Sequence, residues 1–134
     1  MGQKPGAVAA KIGDAPTALD KAKKKLTAEY HLPYLAHSCM EPMNATAHVT
    51  ADRCEIWTGT QVPMRAVESA ARLLGLPVAQ VTLHNQYLGG GFGRRLDAEY
   101  VGQAAKLARQ VDFPLKVVYS REEDIRHGSF RPLY

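Results

Sequence analysis

The sequence predicts an α+β fold, a two-layer β-β-α-β-α-β unit with a mixed sheet. Its 134 residues, 46% hydrophobic and 22% charged, are typical of one globular domain with a real core. Two short strand-like runs, residues 45–51 and 54–58, meet at Asp52-Arg53 and predict a hairpin. Helical patterns then alternate with strand-like runs, which indicates that helices pack on a sheet.

The N-terminal 28 residues differ from the rest. Residues 1–14 are rich in glycine, alanine and lysine and predict a flexible lead-in, and the apolar spacing of residues 15–25 predicts a short amphipathic helix. Residues 28–35, which include Pro33, indicate an edge strand or an extended segment. We therefore divide the chain into a basic lead-in with a helix, residues 1–28, and a folded domain, residues 29–134.

The first helix after the hairpin is bounded by Pro63 at its start and by Gly75 just past its end, the asymmetry expected of helix termini. Its spacing predicts one inward face, consisting of Met64, Val67, Ala71 and Leu74. Residues 78–84 then predict another strand.

Asp97 is expected to cap the next helix, with Lys106 and Arg109 near its negative C-terminal end. Its predicted inward residues are Val101, Ala104, Ala105 and Ala108. Residues 115–119 predict a buried strand.

The positive charge lies in the lead-in. Residues 1–28 carry six lysines and two aspartates, a net charge of +4, so the remaining residues sum to zero. Nucleic-acid binding usually requires a basic face on the folded part, so we expect no nucleic-acid partner; a nucleic-acid binder that acts through the basic tail is an alternative. No run of about 18 apolar residues predicts a membrane span. The N-terminus does not resemble a secretory signal, which makes the cytoplasm the default expectation and leaves the periplasm open for a longer protein.

Cysteine and histidine patterns predict no metal site. Cys39 and Cys54 form no Cys-x-x-Cys pair, and we expect both to be reduced, half-buried strand residues, although a single disulfide stays open. The five histidines show no i,i+4 pair flanking an acid, which disfavours a site built from them alone.

Residues 85–96 form the most unusual segment, a long connection between a strand and a helix. Residues 88–95 (LGGGFGRR) place four glycines around Phe92, ahead of Arg94 and Arg95. Glycine-rich backbone followed by cations and a helix start favours an anionic group, and a tight turn with exposed arginines is the alternative. The dinucleotide fingerprint fails because its third glycine would fall on Arg94, and no Gly-Lys-Ser or Gly-Lys-Thr follows for a phosphate-binding P-loop.

Four ordered motifs resemble the molybdopterin-binding large subunit of the xanthine dehydrogenase and aldehyde oxidase family. They are residues 34–42 (YLAHSCMEP), 57–63 (WTGTQVP), 88–95 and 120–124 (SREED). The double arginine after the glycines makes the chain most similar to the isoquinoline 1-oxidoreductase beta subunit type. The resemblance runs from about residue 19 to Tyr134, so residues 29–134 are expected to be a fragment of a molybdopterin-binding domain.

The resemblance implies a cofactor and residues that bind it. The cofactor would be molybdopterin, expected in its cytosine dinucleotide form, with molybdenum. Gln61 would approach the apical oxo ligand of the metal, and its neutral amide can donate a hydrogen bond without adding charge; spacing alone would make it a helix-start residue beside Pro63. The other implied cofactor-binding residues are Gly89, Gly90, Gly91, Phe92, Gly93 and Arg94.

The resemblance also implies the reaction and its partners. Members hydroxylate a carbon with water as the oxygen source and pass electrons to iron–sulfur clusters, so the partners would be the rest of the large subunit, an iron–sulfur small subunit and a small-molecule substrate. Leu96 replaces the glutamate of purine-oxidising members, which favours an aldehyde or an N-heterocyclic aromatic. No residue matches the family's general base, and Glu41, Glu122 and Glu123 are expected in structural ion pairs. We therefore expect one block of an oxidoreductase that is inactive alone; the alternative is a non-catalytic docking domain that self-associates or binds another chain.

Overall fold

The computed structural model describes residues 6–131, which fall into two units that divide between Leu32 and Pro33. In the first unit, helix α1 spans Ala15–Lys21. Asp14 caps it by accepting hydrogen bonds from the backbone N–H of Thr17 at 3.3 Å and from its hydroxyl at 2.6 Å. The helix is shorter than predicted because Ala22 is extended, and none of its residues is buried. Positions 1–5 of the predicted lead-in lie outside the described residues.

A four-stranded mixed sheet forms the second unit's centre. Strands β2 (Asn44–Val49) and β3 (Cys54–Thr58) make the predicted antiparallel hairpin, β4 (Val81–Asn85) runs parallel to β3, and β5 (Leu115–Val118) runs antiparallel to β2. The strand order is β4-β3-β2-β5. A separate two-stranded ribbon pairs β1 (Leu35–Ala36) with β6 (Phe130–Arg131). The β-β-α-β-α-β order and the mixed sheet are confirmed.

Two helices pack on the sheet. Helix α2 (Pro63–Leu74) contacts α3 (Glu99–Ala108) and β4, and α3 contacts β2 and β5. Residues of β2 alternate between buried and half-buried, which shows that the helices cover only one face of the sheet. Small side chains dominate the core, among them Ala45, Ala47, Ala66, Ala70, Ala104, Ala105 and Ala108.

Three predicted strands have different bounds. Strand β2 ends at Val49 because Thr50 begins a turn, in which its N–H donates to the carbonyl of Arg53 at 2.9 Å. A 3₁₀ turn, Val78–Gln80, follows Pro77, so β4 begins only at Val81. Strand β5 is only half-buried: it lies at the sheet edge, Leu115 and Val117 are partly buried against the core, and Val118 is 59% exposed.

Two helix predictions need correction. Met64 is 63% exposed because it lies in the first turn of α2, before the buried residues begin at Ala66. Asp97 does not cap α3, which begins at Glu99; its carboxylate instead accepts a hydrogen bond from the Ser129 hydroxyl at 2.6 Å. The predicted inward face of α3 is confirmed, since all four of its residues are buried.

Helix α4 (Arg121–His127) was not predicted. Ser120 caps it by accepting a hydrogen bond from the N–H of Glu123 at 3.2 Å. The signal was present in the sequence, because a serine followed three residues later by a glutamate is the pattern of a capping box.

Both cysteines are free thiols, as expected, but they are fully buried rather than half-buried. Cys54 begins β3, whereas Cys39 lies in the loop before β2. Burial, with a smaller contribution from the charge of Glu55, raises the pKa of Cys54 to about 11. No helix between residues 6 and 131 combines the length and apolar character needed to cross a bilayer.

Candidate site at the glycine loop

The glycine loop, residues 88–93, lies against the turn that contains Gln61. The Oε1 atom of Gln61 accepts a hydrogen bond from the N–H of Gly93 at 3.2 Å. Gly91 approaches so closely that a Cβ at this position would lie 2.6 Å from the same Oε1 atom. The residues that the resemblance implied from two distant motifs therefore meet in space.

The hydrogen bond to Gly93 orients the amide of Gln61. Because Oε1 accepts from the loop, the Nε2 hydrogens are left as the available donors. Among residues 6–131, no group accepts a hydrogen bond from Nε2, and the residue is exposed. Gln61 thus presents a neutral hydrogen-bond donor at the surface of the loop.

The loop conformation requires glycine at two positions. Gly90 has φ +99° and Gly93 has φ +96°, a region that side-chain-bearing residues rarely adopt. Phe92, between them, also has a positive φ of 53° and is 64% exposed. At Gly89, an added Cβ would overlap the Cβ of Glu41. The glycines therefore have two roles. They allow the backbone conformation of the loop, and they let Glu41 and Gln61 pack closely against it.

Arg94 is buried, so the expectation that its charge is offered to an anionic ligand needs correction. Its Nε donates to Oδ1 of Asp124 at 2.9 Å, and its side chain also forms an ion pair with Glu99. Burial favours a lower pKa, but the hydrogen bonds and charges of Glu99 and Asp124 outweigh it and raise the pKa of Arg94 above its usual value. The guanidinium connects the loop to α3 and α4, and it is 2% exposed.

Asp124 is a buried carboxylate between two arginines. Besides Arg94, it accepts a hydrogen bond from Nη1 of Arg121 at 3.2 Å, and Arg121 also donates to the carbonyl groups of Cys39 and Met40. This cluster joins α4 to the segment before β2. In the SREED motif, Arg121 and Asp124 make these contacts. Glu122 and Glu123, which were predicted to form structural ion pairs, are exposed.

Arg95 is also buried and unavailable to a ligand. Its side chain donates to the carbonyl of Gly90 at 2.8 Å and to Oε2 of Glu41 at 2.7 Å. The predicted structural ion pair of Glu41 is thereby confirmed. Within residues 6–131, Glu123 pairs only with the exposed His127, at 2.8 Å, and Glu122 forms no ion pair.

Several further residues fix the turn before α2, and the sequence reasoning did not find them. The N–H of Thr60 donates to Oδ1 of Asn85 at 3.0 Å, and the hydroxyl of Tyr100 donates to the carbonyl of Gly59 at 2.9 Å. These partners are 25 and 41 residues apart in sequence, so no local pattern could reveal them.

His37 lies beside the loop, and its Nδ1 is buried without a hydrogen-bond partner among the described residues. Its Nε2 would be 3.4 Å from a Cβ added to Gly93. Burial and then the charge of Arg131 lower the pKa of His37, which keeps the ring neutral near pH 7. Between residues 6 and 131, no cluster of three histidine, cysteine or acidic side chains could bind a metal ion directly.

A family model described as the molybdopterin cofactor-binding domain matches residues 2–133. The chain belongs to the molybdopterin cofactor-binding domain family. This molybdopterin-binding domain is 40% identical over 93 residues to isoquinoline 1-oxidoreductase subunit beta of Brevundimonas diminuta, covering 69% of this chain and 12% of the relative. It is 32% identical over 122 residues to the aldehyde oxidoreductase molybdenum-binding subunit of Escherichia coli K12, covering 90% of this chain and 17% of the relative.

Solved structures share the fold of this molybdopterin-binding domain. Quinoline 2-oxidoreductase from Pseudomonas putida 86 superposes with a TM-score of 0.65 at 20% identity, covering 83% of this chain and 14% of that chain. Aldehyde oxidoreductase from Desulfovibrio gigas gives 0.69 at 20% identity, covering 89% and 13%. The chain thus spans a small part of each relative's length.

The residues present fit the cofactor of this family. The amide of Gln61 offers a donor whose orientation is fixed, and the glycine at position 91 lets the loop approach that amide, since an added Cβ would lie 2.6 Å from Oε1. A metal bound through the pterin requires no histidine, cysteine or carboxylate ligands from the chain. Gln61 and residues 89–93 are the residues for which the resemblance implied contact with the cofactor.

Proposed function

We propose that this chain forms one wall of the molybdopterin site in the large subunit of a molybdenum hydroxylase. The observation that supports it most directly is the contact of Gln61 with Gly93, which leaves the Nε2 donor free beside a glycine-lined surface. When bound, the cofactor supplies the two-electron oxidation chemistry of a hydroxylation with water as the oxygen source. The chain itself supplies orientation, a neutral hydrogen bond and steric access.

Substrate class and cofactor form belong to the same proposal. Leu96, which follows the loop, is apolar and 43% exposed, so it favours an aldehyde or an N-heterocyclic aromatic over a polar purine. The relatives' names, isoquinoline 1-oxidoreductase and aldehyde oxidoreductase, support these two classes. We propose the cytosine dinucleotide form of molybdopterin and, as partners, the remainder of the large subunit and an iron–sulfur subunit.

Cofactor retention tests the proposal. The chain would be mixed under anaerobic conditions with molybdopterin released from a purified molybdenum hydroxylase, then separated by gel filtration and assayed for molybdenum and for pterin fluorescence. We expect retention of both, reduced at least several-fold in Gln61→Ala, and no aldehyde oxidation by the chain alone. Retention of neither group, or substrate turnover by the isolated chain, would contradict the proposal. Gly6→Ala is the matched control, since an added Cβ there meets nothing within 4 Å.

A docking role is the second candidate, and the exposed apolar side chains near the loop favour it. Tyr87 is fully exposed, Met40 is 89% exposed and Phe92 is 64% exposed. Exposed apolar side chains that form a contiguous patch mark a surface that binds other protein. Light scattering across concentration separates the readings: self-association without pterin retention supports docking alone, whereas a monomer that retains pterin supports the cofactor site.

A further inference from the structure

The side chain of Arg95 is fully buried at the centre of the loop's contacts. Its three nitrogens donate four hydrogen bonds, to the carbonyl groups of Gly90, Gly59 and Glu41 and to the carboxylate of Glu41. The distances are 2.8, 3.1, 3.1 and 2.7 Å. One guanidinium thereby connects the glycine loop, the turn before α2 and the segment before β2.

Glu41 neutralises this buried charge and also contacts the loop. Its Oε2 accepts hydrogen bonds from Nη2 of Arg95 and from the N–H of Gly89, both at 2.7 Å, and its Oε1 accepts one from Asn44 at 2.8 Å. The N–H of Glu41 in turn donates to the carbonyl of Gly89 at 3.1 Å. Glu41 therefore fixes the loop at its first glycine.

The backbone of Arg95 fixes the other partner. Its carbonyl accepts hydrogen bonds from the N–H of Gln61 at 3.2 Å and from the hydroxyl of Thr60 at 3.1 Å. Arg95 is thus joined to the glycine loop through its side chain and to Gln61 through its main chain. These are the two groups whose contact orients the free amide donor.

We propose that Arg95, with its charge balanced by Glu41, is a positioning residue that sets the Gln61 amide against the N–H of Gly93. The proposal rests on the proposed function, because the oriented amide matters only if it faces a cofactor. Lysine cannot replace arginine here, since a single ammonium group lacks the planar set of donors that reaches four acceptors in three directions.

The neighbouring pair of Arg94 and Asp124 provides a matched comparison. Arg94 is as buried as Arg95, and Asp124, with a side-chain exposure of 3%, is more buried than Glu41 with 36%. The pair of Arg94 and Asp124 connects the loop to α3 and α4, and among residues 6–131 its side chains form no hydrogen bond with the turn of residues 59–61. Breaking it should reduce stability without moving Gln61, whereas breaking the pair of Arg95 and Glu41 should do both.

The test is nuclear magnetic resonance on the whole chain, with no cofactor present. Amide hydrogen exchange of Gly93 and the side-chain N–H₂ signals of Gln61 would be compared in wild type, Arg95→Lys, Glu41→Gln and the control Asp124→Asn. We expect Gly93 exchange to accelerate by about tenfold relative to β3 amides in Glu41→Gln and Arg95→Lys, with the Gln61 signals moving toward those of a solvated amide. In Asp124→Asn, both readouts should match wild type despite a lower melting temperature.

Unchanged Gly93 exchange in Glu41→Gln, or equal acceleration in Asp124→Asn, would overturn the positioning role. Glu41→Gln is nearly isosteric and keeps the test decisive if Arg95→Lys does not fold. The outcome can be distinguished from that of the proposed function. If the chain retains molybdenum and pterin but its Gly93 exchange rate is unchanged by Arg95→Lys and Glu41→Gln, only the positioning role is refuted. The expected NMR changes in a chain that retains no pterin would refute only the cofactor site.

Discussion

The carboxamide oxygen of Gln61 accepts a hydrogen bond from the N–H of Gly93, 32 residues further along the chain. This contact decides which end of the amide faces outward. Because the oxygen is engaged, the amide hydrogens are the groups that a ligand meets. A ligand atom that accepts hydrogen bonds, such as an oxo group, is therefore favoured beside Gln61.

Gly91→Ala tests how closely the loop approaches Gln61. The new Cβ would lie 2.6 Å from Oε1 and displace the amide. Gly91 does not have a positive φ, and the exposed Gln61 side chain can move, so we expect the free energy of unfolding to change by less than about 1 kcal/mol. Pterin retention should nevertheless fall several-fold. Urea denaturation and gel filtration measure the two effects, and retention equal to that of Gly6→Ala would contradict the prediction.

Gly93→Ala should act through the backbone instead. Gly93 has φ +96°, and the nearest atom to an added Cβ is 3.4 Å away, so strain and not overlap is the expected cause. We expect a loss of about 1–2 kcal/mol in the free energy of unfolding, measured by urea denaturation. Gly91→Ala serves as the comparison, and equal stability of the two variants would refute the strain argument.

Asp124→Asn removes the carboxylate between Arg94 and Arg121. Arg94 is buried, so its charge would lose much of its compensation, and breaking a buried pair in this way costs about 3 kcal/mol. Thermal and urea unfolding measure the loss. Asp112→Asn, at an exposed carboxylate, is the control and should change stability by about 0.5 kcal/mol or less. Similar losses in both variants would count against a stabilising role of the buried pair.

Glu41 should make stability depend on acid pH. Burial raises its pKa, but hydrogen bonds from Asn44 and Gly89 and the charge of Arg95 together lower the pKa below its usual value of 4.5. Because the folded-state pKa is the lower one, the stabilisation is present above about pH 4.5 and is lost as the pH falls through the folded value. Urea midpoints between about pH 6 and pH 3 should fall more steeply in wild type than in Glu41→Gln. Parallel pH profiles would exclude this contribution.

The two thiols should be protected in the folded chain. Cys39 and Cys54 are 0% and 1% exposed, and with a pKa of about 11 only about one Cys54 thiol in a thousand ionises at pH 8. Reaction with a thiol-specific disulfide reagent should therefore be slow in native buffer and complete for two thiols in urea. Rapid modification of one equivalent in native buffer would be inconsistent with this burial.

Short-range sequence patterns predict most of the helices and strands of this fold. The run Cys54–Thr58 was predicted with the observed bounds, and α2 begins at Pro63 and ends just before Gly75 as the sequence indicates. These features depend on neighbours within a few residues: alternation in a strand, a proline at a helix start and a glycine past its end. The signal for helix α4 is equally local, because Ser120 caps the helix through the N–H of Glu123, three residues away.

Burial at the edge of the sheet and at the end of a helix was harder to predict. Residues 115–119 read as a buried strand, but whether a strand is buried depends on what lies beside it, and β5 has a neighbour on one side only. Met64 shares the spacing of the buried face of α2, yet the buried residues of this helix begin only at Ala66. In both cases the hydrophobic pattern was correct and the extent of the packing surface decided the outcome.

The sequence by itself determined the order of elements, the glycine loop and, through its resemblance, the family and the role expected of Gln61. The tertiary structure decided what the charges do. Arg94 and Arg95 are adjacent and resemble an anion site, but their carboxylate partners, Asp124 and Glu41, lie 30 and 54 residues away. A buried cation requires a partner because desolvation of an isolated charge is costly, and only the folded chain brings that partner within hydrogen-bonding distance.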